Sequence, residues 1–203
     1  MTVRDFEVVG WGPFYRLCLE LADRVKNSGR KFDLLLGINR GGLVPLRVLS
    51  DELDNPNIAT VKIEFYVGIA KTAQNPTITQ PPSEPVAGRE VLVVDDVADT
   101  GKSLRRLRDY LASENVKSFR IATVFYKPWS EVRPDFWVRR TRKWVIFPYE
   151  GRETSLLLLN KWRGKSSREI REKFIQIGME PYIVDRVLRS LGRRRKNIHS
   201  IHS

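Results

Sequence analysis

Residues 91–103 read Val-Leu-Val-Val-Asp-Asp-Val-Ala-Asp-Thr-Gly-Lys-Ser, a run that few architectures accommodate. It opens with Val91, Leu92, Val93 and Val94, which suit a parallel strand covered on both faces. It closes on Thr100, Gly101 and Ser103, a turn that opens a helix. Backbone N–H groups at such a helix start form an anion site, and Gly101 lets a phosphate approach closely. Between the two lie adjacent carboxylates, Asp95 and Asp96, at the carboxyl end of the strand, where open α/β sheets bind their ligands. Paired acids beside a phosphate cradle suit a sugar phosphate: the acids take hydroxyls and the cradle takes the phosphate. Gly101-Lys102-Ser103 also reads as the end of a P-loop, but that motif needs glycine five residues earlier. Asp96 stands there and would repel phosphate.

The flanking chain fits an α/β core followed by helices. Gly12-Pro13 opens a helix on which Phe14, Leu17, Leu21 and Val25 share a face, with Gly29 as its C-cap. A buried strand over 32–38 runs into Asn39-Arg40-Gly41-Gly42-Leu43-Val44-Pro45 and a helix to about Leu53. A strand, a glycine turn with one arginine and a helix again suit an anion, and Arg40 can contact phosphate through two bonds. A strand over 58–65 precedes residues 66–88, which lack periodicity and read as a long loop, either a functional lid or disordered. Leu104, Leu107 and Leu111 then line a helix, and a strand over 118–125 ends in Tyr126-Lys127-Pro128.

Residues 153–192 read as three short helices. The first covers 154–162 before Gly164, the second opens on a capping box from Ser166 to Glu169, and the third runs from Pro181 to a stop at Gly192. The tail 193–203, with Arg193-Arg194-Arg195-Lys196, His199 and His202, reads as basic, disordered and solvated. Residues 153–203 carry 12 basic and 5 acidic residues of a chain whose net charge is +12. That excess raises nucleic acid as a partner, but polyphosphate substrates also want a positive site. No apolar run nears the ~20 residues of a membrane span, and no signal-peptide pattern opens the chain. The single cysteine, Cys18, excludes internal disulfides and reads as a small core residue rather than a nucleophile. A cytoplasmic protein without a membrane partner is the expectation.

Residues 91–103 resemble the 5-phosphoribosyl-1-pyrophosphate (PRPP) motif of the type I phosphoribosyltransferases: apolar residues, two acids, variable residues, then Thr-Gly-x-Ser/Thr. Arg40-Gly41-Gly42-Leu43-Val44-Pro45 resembles the pyrophosphate loop of bacterial xanthine–guanine phosphoribosyltransferases. Trp144-Val145-Ile146-Phe147-Pro148-Tyr149-Glu150 resembles their Trp-Ile-x-x-Pro-Trp-Asp, and Lys127 precedes it by 17 residues, close to the family's separation. The resemblance covers about 30–152. It implies the type I fold, a mainly parallel five-stranded sheet flanked by helices, here followed by a small C-terminal three-helix bundle. The expected division is a core over 1–152, with a base-binding segment over about 126–150, a three-helix appendage over 153–192, too small to be stable alone and so packed on the core near the base site, and the tail over 193–203.

The resemblance also implies roles. Asp95 and Asp96 would hold the ribose hydroxyls and favour a cationic ribose. Asp99, Thr100, Gly101, Lys102 and Ser103 would bind the 5′-phosphate, and Asp99 would exchange a proton with the purine N7. Arg40, Gly41 and Gly42 would hold pyrophosphate, with Lys71, on a mobile loop over 66–88, as a further contact. Lys127, Trp144 and Val145 would bind the base. Mg²⁺ is implied, near Asp96 and Glu150, and the family commonly forms homodimers. The reaction would be purine salvage: base plus PRPP gives the nucleoside 5′-monophosphate plus pyrophosphate.

Two features pull the base identity apart. Asp99 and Lys127 point to hypoxanthine, guanine or xanthine, whereas a core followed by helices resembles archaeal adenine phosphoribosyltransferases. Adenine is the expected base because the appendage has no place in the bacterial xanthine–guanine enzymes, and a 6-oxopurine is the alternative. A second alternative is a PRPP-sensing regulator that binds nucleic acid through the basic helices. That pair of helices lacks a clear recognition helix, so nucleic acid is the lesser reading.

Overall fold

β5, Glu90–Ala98, lies at the centre of the sheet, and its residues Val91, Leu92, Val93 and Val94 are at most 1% exposed. This is the burial that an apolar run without alternation demands. The computed structural model describes residues 3–68, 71–162 and 164–199. β2, Leu34–Asn39, and β6, Ser118–Tyr126, flank β5, both parallel to it. Outside them lie β3, Ile58–Gly68, and β7, Phe136–Arg140, also parallel to their neighbours. β4, Lys71–Gln80, adds an antiparallel edge, giving the order β4-β3-β2-β5-β6-β7. The five parallel strands agree with the expected sheet, and the antiparallel edge enlarges it. α1, Trp11–Asn27, leads into β2, and two helices connect strands of the sheet: α2, Leu43–Glu52, from β2 to β3 and α3, Lys102–Ser113, from β5 to β6. Leu104, Leu107 and Leu111 of α3 pack into one core with Leu34, Leu36, Val91 and Val93. β3 lies on one side of β2 and β5 on the other, so the loops after β2 and β5 open at a topological switch point.

The chain packs as two units, Tyr15–Arg142 and a second that draws on residues up to Phe14 and from Lys143 onward. The expected boundary at 152 therefore shifts. β1, Phe6–Val8, pairs in parallel with β8, Trp144–Ile146, and both belong with the terminal helices. Phe6 and Ile146 share a core with Leu158, Phe174, Met179 and Val184, so the helices pack against β1 and β8. These helices are α4, Gly151–Lys161, α5, Ser167–Gln176, and α6, Pro181–His199. The capping box opens α5 as expected. The Ser166 N–H and hydroxyl donate to the Glu169 carboxylate at 2.8 Å each, which holds that carboxyl below its usual range.

Two other expectations change. Residues 66–88 are not one irregular loop, because β3 continues to Gly68 and β4 returns to Gln80. Pro76 is accommodated because β4 is an edge strand, where a missing N–H breaks no inner ladder. α6 passes Gly192 and reaches His199, so the backbone over 193–199 is helical rather than disordered. One glycine costs a helix only about 1 kcal/mol, and the arginines that follow are good helix formers. His202 lies outside the described residues. Among the described residues no helix is long and apolar enough to cross a membrane.

Cys18 is fully buried on α1, as a core residue should be. Burial, with the Asp96 charge adding to it, pushes its thiol up from 9.0 to about 12. The fold therefore keeps this thiol's contribution below about pH 9 and loses it as the pH rises toward about 12. Labelling by a thiol reagent at pH 8 is expected only after unfolding, because both access and thiolate are lacking. Rapid labelling of the native protein would contradict this.

Candidate active site

The loop after β2 is shaped by two glycines. Gly42 N–H donates to Ile38 O at 2.9 Å and Leu43 N–H to Arg40 O at 3.1 Å, closing a tight turn in which the Asn39–Arg40 peptide is cis. A Cβ on Gly42 would strike Val94 O and would lie 2.8 Å from Ile38 N and O. A Cβ on Gly41 would fall among the carboxylate atoms of Asp96, 2.5 Å from its Cγ and 2.6 Å from Oδ1. Both contacts lay the Arg40-Gly41-Gly42 turn directly against β5.

The acid pair sits within β5. Asp96 is 5% exposed, and its N–H donates to Asp95 Oδ1 at 3.0 Å. Beyond the strand, Gly101 adopts φ +78° and stands immediately before α3, so the helix's unfilled N–H groups open at this turn. A side chain is excluded at Gly101 twice over. Its φ is left-handed, and a Cβ would lie 2.5 Å from Ser130 Oγ and 2.7 Å from Val132 N. Lys102 N–H has a long 3.4 Å contact with Thr100 Oγ1.

A third loop completes the cluster. Lys127, just past β6, is 4% exposed, and its N–H donates to Ala98 O at 3.0 Å. Its ammonium lies 5.6 Å from the centre of the Trp129 ring. Trp129 Nε1–H in turn donates to Asp99 Oδ1 at 3.1 Å. Trp129 was not singled out from the sequence. Its only signal there is an aromatic two residues after Lys127, past Pro128.

The carboxyl ends of β2, β5 and β6, three adjacent strands, thus bring together Arg40, Gly41, Gly42, Asp95, Asp96, Asp99, Thr100, Gly101, Lys102, Ser103 and Lys127. Two acids, a helix start with open N–H groups and a buried cation lie at these carboxyl ends. The phosphoribosyl transferase domain family matches residues 7–153. The chain belongs to that family.

Individual phosphoribosyltransferases bear this out. Xanthine-guanine phosphoribosyltransferase from Cereibacter sphaeroides is 28% identical over 77% of this chain and 92% of its own length. The enzyme of that name from Gluconobacter oxydans is 28% identical over 71% and 84%. The crystal structure of purine phosphoribosyltransferase from Pyrococcus horikoshii superposes with a TM-score of 0.64 at 34% identity, covering 71% of this chain and 94% of that one.

The remaining expected residues of this phosphoribosyltransferase have other positions. Lys71 is the first residue of β4, opposite Gly68, and its side chain lies outside the described part. Trp144, Val145 and Glu150 belong to the second unit. Trp144 pairs with Phe6 in the β1–β8 ladder and carries the Lys161 ammonium 5.6 Å from its ring centre. Val145 is buried opposite Glu7, and Glu150 immediately precedes α4.

The donor set near Asp96 suits Mg²⁺. Among the described residues no cluster of three acids, histidines or cysteines closes a metal cage. Mg²⁺ uses one or two carboxylates and completes its shell with water and substrate oxygens, which Asp95 and Asp96 allow. Asn39 Oδ1, one strand away, is buried with no hydrogen-bond donor, an atom of the kind that bound water satisfies.

Proposed function

We propose that the protein transfers the 5-phosphoribosyl group of PRPP to a 6-oxopurine (hypoxanthine, guanine or xanthine), giving the nucleoside 5′-monophosphate and pyrophosphate. The observation that carries the choice of base is Lys127, buried and joined to Asp99 through Trp129. An ammonium has three donors and no acceptor. It satisfies the exocyclic oxygen of a 6-oxopurine. The exocyclic amine of adenine would set donor against donor and leave buried groups unsatisfied. The relatives named xanthine-guanine phosphoribosyltransferase support the same base. Adenine, expected from the terminal helices, gives way on these grounds. Those helices are accounted for by the core they share with β1 and β8.

In this reading Asp95 and Asp96 hold the ribose hydroxyls, and their charge favours the cationic ribose of the transition state. Thr100, Gly101, Lys102 and Ser103 hold the 5′-phosphate at the start of α3. Arg40 and the backbone of Gly41 and Gly42 hold the leaving pyrophosphate. Asp99 takes the N7 proton as purine N9 bonds to C1′ and the C1′–pyrophosphate bond breaks. Lys127 stabilises the charge that develops on the exocyclic oxygen. Mg²⁺ bound near Asp96 supplies neutralisation of the leaving pyrophosphate.

Titration calorimetry with product nucleotides tests the base. IMP, GMP or XMP is expected to bind at least about tenfold more tightly than AMP, since a site built for an oxygen rejects the amine. Equal or tighter binding of AMP would restore adenine, and no binding of any of them would remove the purine reading.

A further inference from the structure

We infer that Trp129 is a positioning residue for base recognition, one indole that holds the Asp99 carboxylate and the Lys127 ammonium in a fixed arrangement; this rests on the 6-oxopurine reading above. Trp129 is 49% exposed, and it belongs to neither of the two apolar cores described above. Packing therefore does not explain a tryptophan here, and its polar contacts do.

The indole N–H is a donor only and does not titrate. The bond at 3.1 Å can run in one direction alone, with Asp99 Oδ1 as acceptor. It stops rotation of the carboxylate and leaves Oδ2 for the purine N7. This is the relation of a catalytic base to a third group that orients it. The ring face meanwhile holds the Lys127 ammonium at 5.6 Å, within cation–π range.

The turn that carries Trp129 is itself fixed to the phosphate loop. Ser130 N–H donates to Lys127 O and Glu131 N–H to Thr100 O, each at 3.0 Å. Arg105 of α3 and Glu131 form an ion pair at 2.7 Å. Trp129 therefore stands at a set distance from both partners. The two holds are also separable by substitution. Trp129→Phe keeps a ring for Lys127 and removes the N–H. Trp129→Leu removes both.

Single-turnover rates, KM values and the preference for hypoxanthine or guanine over adenine, measured on wild type and both variants, test the inference. Trp129→Phe is expected to lower the single-turnover rate about tenfold, with the KM for PRPP and the base preference unchanged. Trp129→Leu is expected to lower the rate similarly and to cut the preference about tenfold as well. Added to Asp99→Asn, Trp129→Phe is expected to cost less than twofold more, because it acts through Asp99.

Rates within twofold of wild type in the Phe variant would overturn the inference. So would a parallel rise in the KM values for PRPP and base, the mark of a loosened loop. Should Trp129→Leu not fold, the Phe variant decides alone. A wild-type protein silent with every purine would instead overturn the 6-oxopurine reading, and this inference with it.

Discussion

Replacing Asp99 with asparagine is expected to lower the single-turnover rate with guanine or hypoxanthine by about 10²- to 10⁴-fold, the usual worth of a positioned general base. The carboxamide has nearly the same shape, and its oxygen still accepts the Trp129 N–H, which reaches Asp99 at 3.1 Å. Only the capacity to take a proton is lost. The KM for PRPP is therefore expected to change less than threefold, although Asp99 heads the loop proposed to hold the 5′-phosphate. Single-turnover conditions matter because product release can hide the chemical step in steady-state kcat. A fall of less than about tenfold would mean that another group, or water, exchanges the N7 proton.

Gly41→Ala is expected to lower kcat/KM for PRPP by about 10²-fold, the loss that follows a misplacement of roughly 1 Å. The added methyl would lie 2.5 Å from Asp96 Cγ, closer than real Cβ contacts occur. Either the Arg40-Gly41-Gly42 turn lifts from β5 or the carboxylate swings away, and both are assigned to PRPP. The contact lies at the end of the sheet and outside the apolar core, so Tm is expected to fall by only a few degrees. Activity within twofold of wild type would show that the turn and Asp96 adjust independently. A collapse of Tm would place the glycine in the folding of the sheet rather than in the site.

The parts of the site that were legible in the sequence are those whose chemistry is local. Val91–Val94 announce a buried strand, Asp95 and Asp96 stand in its last residues before Ala98, and Gly101 marks the helix start. All of these depend on neighbours in the chain. Arg40, Gly41 and Gly42 were legible for the same reason.

What escaped depends on pairing and side-chain contacts that leave no pattern in the sequence. β7 is only five residues long, Phe136–Arg140, too short a run to show a period, and it is defined by its pairing with β6. β4 carries Pro76 and polar residues, and its pairing with β3 overrides their weak strand preference. β1 is three residues long and is defined only by β8, which moves the unit boundary to Lys143. Gly192 looked like a helix stop, but α6 continues because nothing forces the chain to turn there. Trp129 escaped because its partners are Asp99, 30 residues away, and Lys127, and neither contact leaves a periodic trace. The appeal of adenine came from the architecture of the terminal helices, whereas the buried Lys127 is a local fact about the chemistry.

The measurement that bears most directly on function is pyrophosphate release from PRPP and Mg²⁺ with hypoxanthine, guanine, xanthine or adenine supplied one at a time. Release with at least one 6-oxopurine, at a kcat/KM at least tenfold above that with adenine, is the predicted result. Release with adenine alone, or with no base at all, would contradict it.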